Sequence, residues 1–211
     1  VNYFLDYLVQ AFSVVHVNTF VMIGGYFAID KVFQASRLGK LWKQVAFYSI
    51  LICLLNAVTI GVTRTDVVKA IFPISAKTYW FASVYMGLLV LMPFVSMVAA
   101  RMTRRQYQYL LGALTLFLSV NHMIFRVDTY GTFSGRELPF IYLTLLAGYV
   151  KLHTKEDRRY AWYGFAGYVV SSLAVLASVY LSVKTHQEDI GYFLNYNSPL
   201  ALLGTLALFV C

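Results

Sequence analysis

Polar side chains that could do chemistry stand inside otherwise apolar stretches of the chain: Gln10, Ser13, His16, Asn18, Asn56, Asn121 and His122. A polar group within a hydrocarbon layer needs a partner or a cavity, so each is a site candidate. Helical spacing places Asp6, Gln10 and Ser13 on one face, with His16 three residues further on. His16 could act as a general base, because a partly buried imidazole titrates near neutral pH. For His16 and His122 we favour a simpler interpretation, a histidine near the outer interface that is hydrogen-bonded to a neighbouring helix.

Several kinds of site are excluded by the spacing of the other reactive side chains. The sequence has no HExxH, no histidine pair and no carboxylate pair at helical separation, so it predicts no metal site. It also has no GxSxG elbow and no GxxxxGK[ST] phosphate loop. Cys53 lies in an apolar segment and Cys211 at the end, which leaves neither a disulfide framework nor a CxxC site.

The composition of the chain predicts that these residues are carried by membrane-spanning helices. Hydrophobic residues make up 60% of the chain and charged residues 12%, with a mean hydropathy of +0.66, beyond what a soluble core requires. Long unbroken apolar runs favour helices over the alternating strands of a membrane barrel. We therefore expect an all-α fold, a polytopic transmembrane bundle with about seven membrane segments, many near the roughly 20 residues a span needs. These segments are 8–29, 44–62, 79–100, 107–125, 138–152, 161–183 and 198–211.

One domain covers residues 1–211, because no Pro-rich or Ser-rich linker divides the chain. The chain opens on Val1 and ends in a short apolar run, so we expect it to be truncated at both ends.

Basic residues divide unequally between the two alternating sets of loops. Loops 30–43, 101–106 and 151–160 carry eleven of the 17 Lys and Arg residues, and the other set carries six. The richer set is predicted to be cytoplasmic. The net charge of +8 is therefore explained by membrane topology and does not indicate nucleic-acid binding.

Several stretches resemble, in order and spacing, the acyltransferase 3 family, the membrane-bound O-acyltransferases of bacterial surface polysaccharides. VNTFVMIGGYF, followed by KVFQASRLGKLWKQVAFYSI, is similar to the family's second membrane helix and the loop after it. KTYWFASVYMGLLVLMPFVS resembles its tryptophan, tyrosine and proline pattern at the start of a later helix. LPFIYLTLLAGYVKLH resembles a helix containing Tyr and Gly, and NSPLALLGTLALF resembles the closing Ser-Pro helix.

Two positions depart from the family pattern. Gly24 stands where the family usually has Ser, and the Arg-x-x-Arg of the basic loop appears as Arg37 and Lys40. Lysine is a point charge that lacks the planar bidentate grip of arginine but can still hold a phosphate. The resemblance also implies that the catalytic histidine lies on a helix upstream of Val1, so we name no catalytic residue in this chain.

The resemblance implies transfer of an acyl group, most often acetyl, from a cytoplasmic acyl-CoA to a hydroxyl of a cell-surface glycan or its precursor. It places the protein in the bacterial plasma membrane, with membrane lipid, acyl-CoA and a sugar or polysaccharide acceptor as partners. Acyl-CoA is the donor substrate, and no permanently bound cofactor is expected. The main alternative is a transporter or flippase for a glycan or a lipid-linked precursor.

Candidate residues follow from this implied reaction. Arg37, Lys40 and Lys43 suit the CoA phosphates, although membrane topology and anionic lipid headgroups explain the same charges. Asn18 and Tyr26 are candidates for lining the acyl or sugar path. The remaining candidates have simpler interpretations beside the functional ones. Trp80 and Tyr85 suit sugar stacking or an ordinary interfacial position, Gly24 and Gly25 suit close helix packing, and Pro93 predicts a helix bend.

Overall fold

The structure is a computed structural model that describes residues 3–120, 123–124, 137–154, 158–185 and 192–211. Two of the site candidates, Asn121 and His122, lie outside these residues. Within the described ranges the chain is helical and contains no strand, which confirms the all-α prediction. The helices are α1 (Tyr3–Ser13), α2 (His16–Ala28), α3 (Ala35–Thr59), α4 (Arg64–Ile71), α5 (Trp80–Arg101), α6 (Arg104–Thr115), α7 (Glu137–His153), α8 (Arg158–Lys184) and α9 (Pro199–Phe209).

Four helical stretches of the described chain are long and apolar enough to cross a membrane: Phe4–Ala28, Ala35–Thr59, Trp80–Arg101 and Arg159–Lys184. The other predicted segments give shorter helices. The 138–152 segment forms the 17-residue α7, and the last segment forms the 11-residue α9. In the 107–125 segment, α6 gives way to a short π-helix at Leu116–Val120. The count of about seven membrane segments therefore stays a prediction.

Helix boundaries follow local hydrogen bonding. α4 and α6 each begin with a capping box, in which the cap and the third helical residue satisfy each other's backbone N–H groups. The caps are Thr63 with Asp66 and Thr103 with Gln106. The hydroxyl of Ser198 accepts from the backbone N–H of Ala201, and a proline in the first turn completes the start of α9.

α2, α5, α7 and α9 run in the same direction. The contacts of α2 occur in the same order along each of the other three helices. On α5, Phe20 meets Phe81 and Gly24 meets Tyr85; on α7, Gly25 meets Thr144 and Ile29 meets Gly148. On α9, Val15 just before α2 meets Gly204, and Tyr26 meets Phe209. The α6–α7 and α8–α9 contacts occur in reversed order, so those pairs are antiparallel. The core lies between the parallel helices, where Val21, Met22 and Leu143 are almost fully buried.

The basic loops meet at one end of this bundle. The Nζ of Lys151 lies 2.7 Å from Oδ1 of Asp30, which joins the end of α7 to the end of α2. At the start of α6, Arg104 Nε donates to the hydroxyl of Tyr149 at 3.3 Å. Described parts of the loops at 30–43, 101–106 and 151–160 thus lie together, and we call this the basic end.

Candidate functional site

An open cleft lies at the basic end, between the end of α2, the start of α3 and the second half of α5. It contains about 360 Å³ of space outside the protein atoms, part of it continuous with solvent. Its walls are mainly apolar, and the two charged residues that line it, Lys31 and Arg37, are exposed. The lining residues are Ala28, Lys31, Val32, Phe33, Gln34, Arg37, Leu38, Leu89, Met92, Pro93 and Ser96.

Two cations stand at the cleft, and the sequence singled out one of them. Arg37, in the first turn of α3, was predicted as a phosphate-binding residue and lines the cleft. Lys40 and Lys43 follow on the same helix, are exposed, and lie outside the cleft lining. Lys31 lines the cleft although we did not single it out. Its place in the same basic stretch, six residues before Arg37, was the signal available for it.

The α5 wall carries a proline and a serine. Pro93 lies inside the helix and lines the cleft. Ser96, one turn further on, has a buried hydroxyl oxygen with no hydrogen-bond partner among the described residues. This wall is therefore apolar in its side chains except at Ser96.

Tyr26 is fixed beside the cleft by a lysine clamp. Lys151 Nζ donates to the backbone carbonyl of Tyr26 at 2.8 Å and to Oδ1 of Asp30 at 2.7 Å, and lies 5.0 Å from the Tyr26 ring centroid. The other contacts of that ring include an edge contact with Phe209, 5.8 Å between centroids. The hydrogen bond from Lys151 lowers the pKa of the Asp30 carboxyl below its usual 3.8. Tyr26 thus takes part in joining α2 to its neighbours, close to the cleft residue Ala28.

A run of aromatic rings extends from the first half of α5, at Tyr85, toward the end of the bundle opposite the basic end. Tyr85 stacks on Phe81 with 5.8 Å between ring centroids, and Trp80 meets Phe81 edge-on at 5.7 Å. Tyr196 lies 6.5 Å from Trp80 and 6.0 Å from the ring of His16. Tyr85 is one helical turn from the cleft residue Leu89, so this aromatic run begins where the cleft wall ends.

Tyr196 brings several predicted residues together. The Asn18 side chain is 97% buried, and its Nδ2 donates to the Tyr196 carbonyl at 2.8 Å. Asn18, Trp80 and His16 thus surround a residue that was not predicted. The available signal was that Tyr196 comes just before the Ser-Pro start of α9.

His16 differs from its expected arrangement. The predicted hydrogen bond to a neighbouring helix is replaced by one to the Ser13 carbonyl, across the break that ends α1 at Ser13 and starts α2 at His16. The ring is exposed and meets Tyr196 edge-on. The Ser13 carbonyl belongs to the preceding turn of the chain, so the side-chain arrangement expected between neighbouring helices is not what holds His16.

Gly24 and Gly25 allow close approach of α2 to two helices. A Cβ at Gly24 would lie 2.8 Å from the hydroxyl oxygen of Tyr85, and one at Gly25 would lie 2.8 Å from the Cα of Thr144. This geometry agrees with the helix-packing interpretation of both glycines. It also gives a reason why this chain has glycine at position 24 where the similar family usually has serine, since a serine side chain there would press on the Tyr85 hydroxyl.

Metal ligands do not cluster in the described ranges: no group of three or more His, Cys, Asp or Glu residues there could hold an ion. The family model described as an acyltransferase domain matches residues 1–211. No curated protein and no solved structure matches the chain.

Proposed function

Because the chain belongs to the acyltransferase 3 family and is therefore an acyltransferase, we propose that it moves an acetyl or other acyl group from acyl-CoA to a hydroxyl of a cell-surface glycan or its precursor in the bacterial plasma membrane. In this reaction the hydroxyl oxygen attacks the thioester carbonyl and the carbon–sulfur bond breaks. A base takes the hydroxyl proton and returns it to the departing CoA thiolate. None of the described residues is assigned as that base.

The observation that carries the proposal is the composition of the cleft at the basic end. Arg37 and Lys31 stand at its mouth, and Leu89, Met92 and Pro93 form an apolar wall behind them. Acyl-CoA has a related division, with charged phosphates at one end and an acylated, uncharged arm at the other. A guanidinium can grip a phosphate with two parallel hydrogen bonds, and a lysine adds a point charge.

The aromatic run supports an acceptor position beyond the cleft. Tyr85 stacks on Phe81, and Trp80, Asn18 and His16 place an aromatic ring and two polar groups close to the same Tyr196. Aromatic faces beside polar side chains suit a sugar ring, which has apolar C–H faces and a polar edge. In this arrangement donor and acceptor approach each other near Tyr85.

The test is acetyl-CoA binding by the full-length protein in lipid nanodiscs. Arg37→Gln and Lys31→Gln should each weaken binding about tenfold, the low end for losing a hydrogen bond to a charged group at an open site. Lys69→Gln removes the same charge from an exposed position on α4 and should leave affinity unchanged. If wild type, Arg37→Gln and Lys31→Gln bind acetyl-CoA with equal affinity, these cations do not hold the donor and are explained by membrane topology alone.

Two further variants test the wider cation group predicted from sequence. If Lys40 and Lys43 also hold phosphates, Lys40→Gln and Lys43→Gln will weaken binding; if the cleft lining alone does so, they will behave like Lys69→Gln. Transfer is followed separately with radiolabelled acetyl-CoA and a glycan acceptor. Glycan movement across the membrane without acetyl incorporation would favour a transporter or flippase.

A further inference from the structure

One side of the short helix α4 is apolar and exposed. Val67 and Val68 lie one helical turn before Ile71, so the three side chains share one side of the helix, and we call them the apolar stripe. They are 42%, 58% and 44% exposed. The helical spacing places Asp66 and Lys69 on the opposite side. α4 is therefore amphipathic, and its apolar side is not buried against the protein.

The position of α4 along the bundle follows from α3, which leads into it. α3 begins at the basic end, where Arg37 in its first turn lines the cleft. Its 25 residues rise about 37 Å, which exceeds the roughly 30 Å of a bilayer's hydrocarbon layer. Only residues 60–63 separate the end of α3 from the start of α4. If α3 crosses the layer, α4 lies at the membrane surface opposite the basic end.

The segment after α4 is held at the start of α5. Pro73 is almost fully buried, and the hydroxyl of Ser83 donates to the Ile74 carbonyl at 3.0 Å. Ser83 stands in the first turn of α5, which begins at Trp80. Tryptophan is enriched where a membrane meets water. Both connections of α4 therefore hold it at the level of the membrane surface.

We propose that α4 lies in the plane of the membrane surface opposite the basic end, with the apolar stripe in lipid and Lys69 toward water. Lipid is the occupant because the stripe adjoins a surface that already meets it. The last turns of α3 expose the apolar side chains of Leu55 and Val58. Helices that rest in the interface combine such an apolar side with a charged one.

The charges of α4 agree with this orientation. Asp66 is held at the start of the helix by its capping box with Thr63, so the carboxylate stays at the helix end and away from the stripe. Arg64 is on the same side as the stripe, at its amino end. A long arginine side chain can lay its apolar stem along lipid while its guanidinium reaches the headgroups.

This anchor is independent of the proposed acyl donor and acceptor. It would fix the depth at which α5 begins, and with it the depth of Trp80 at the start of the aromatic run.

The experiment measures what surrounds single labelled positions on α4 of the full-length protein in lipid nanodiscs. Native cysteines are first replaced, including Cys53→Ala and Cys211→Ser, and Val68→Cys, Ile71→Cys and Lys69→Cys are made separately in that background. Each variant carries a polarity-sensitive fluorophore. Labels at 68 and 71 should emit at shorter wavelength than the label at 69. They should lose fluorescence to a phosphatidylcholine with a nitroxide on its acyl chain, and the label at 69 should lose it to aqueous iodide.

Leu54→Cys, at an exposed position inside the span formed by α3, is the reference for lipid contact. Val67→Cys replaces either stripe variant that does not give a monodisperse protein. Strong iodide quenching at every α4 position would show that the stripe lies in water and would overturn the proposal. Protection of the stripe labels from both quenchers would show that protein covers the stripe, which overturns it equally.

Discussion

Gly25→Ala should destabilise the protein, because α2 and α7 are in backbone contact at that position. The added Cβ would lie 2.8 Å from the Cα of Thr144 and 3.1 Å from its Cγ2, against 3.4–4 Å for ordinary contact. The two helices would have to separate by about 0.6 Å or the side chains shift, and overpacking of this kind costs about 1–3 kcal/mol. Removing a helical glycine recovers about 0.5–1 kcal/mol. The steric cost exceeds the gain, leaving a net loss of about 1–2 kcal/mol.

The measurement is thermal unfolding of the detergent-solubilised protein, followed by loss of the monodisperse chromatographic peak. A net loss of this size lowers Tm by roughly 2–8 °C in a chain of this length. Gly112→Ala on α6 is the control, because a Cβ there meets nothing within 4 Å. That variant gains helix propensity without a clash and should unfold at or slightly above the wild-type temperature. If Gly25→Ala unfolds at the same temperature as Gly112→Ala, the close approach of α2 and α7 is refuted.

Two further predictions use the same unfolding assay. Asn18→Ala leaves the partly buried Tyr196 carbonyl without its donor and should cost about 1 kcal/mol. A wild-type Tm would show that this bond does not hold α2 to the segment before α9. The pKa of Asp30 is lower in the folded protein than its usual value of 3.8. The bond to Lys151 therefore makes its full contribution to stability at pH values above 3.8, and that contribution disappears as the pH falls through the lower pKa of the folded state. Asp30→Asn should therefore be less stable than wild type at neutral pH, and the two Tm curves should converge below pH 3.8; parallel curves throughout would contradict this.

Hydropathy and spacing were enough to predict the helical class and the local arrangement of several residues. The apolar run at 44–62 lies mostly within the single helix α3, because an unbroken apolar stretch in lipid must satisfy its own backbone hydrogen bonds. Gly24 and Gly25 were recognised as packing positions from their size alone. Helix formation depends on neighbouring residues, which the sequence reports directly, whereas the small size of the two glycines predicted close packing without its partners, Tyr85 and Thr144.

Contacts between distant segments were not predicted. Asn18 bonds to Tyr196 across 178 residues, and Ser96 lines one cleft together with residues near the start of α3. Both arrangements depend on how the helices cross. Position in the fold also separates Arg37 from Lys40 and Lys43, which share its sequence environment but not the cleft. Periodicity gives the face of a helix and not the partner that covers it.

The shared direction of α2, α5, α7 and α9 gives the basic end an uneven electrostatic character. Four helices present their carbonyl ends there, where helix dipoles place partial negative charge. Lys151 and Arg101 stand in the last turns of α7 and α5, so part of the positive charge at this end neutralises those carbonyls. Arg37 instead lies in the first turn of α3, where the dipole repels cations, and Lys40 lies in the turn after it. Their charges are left uncompensated by the helix that carries them, and a bound anion would relieve that repulsion.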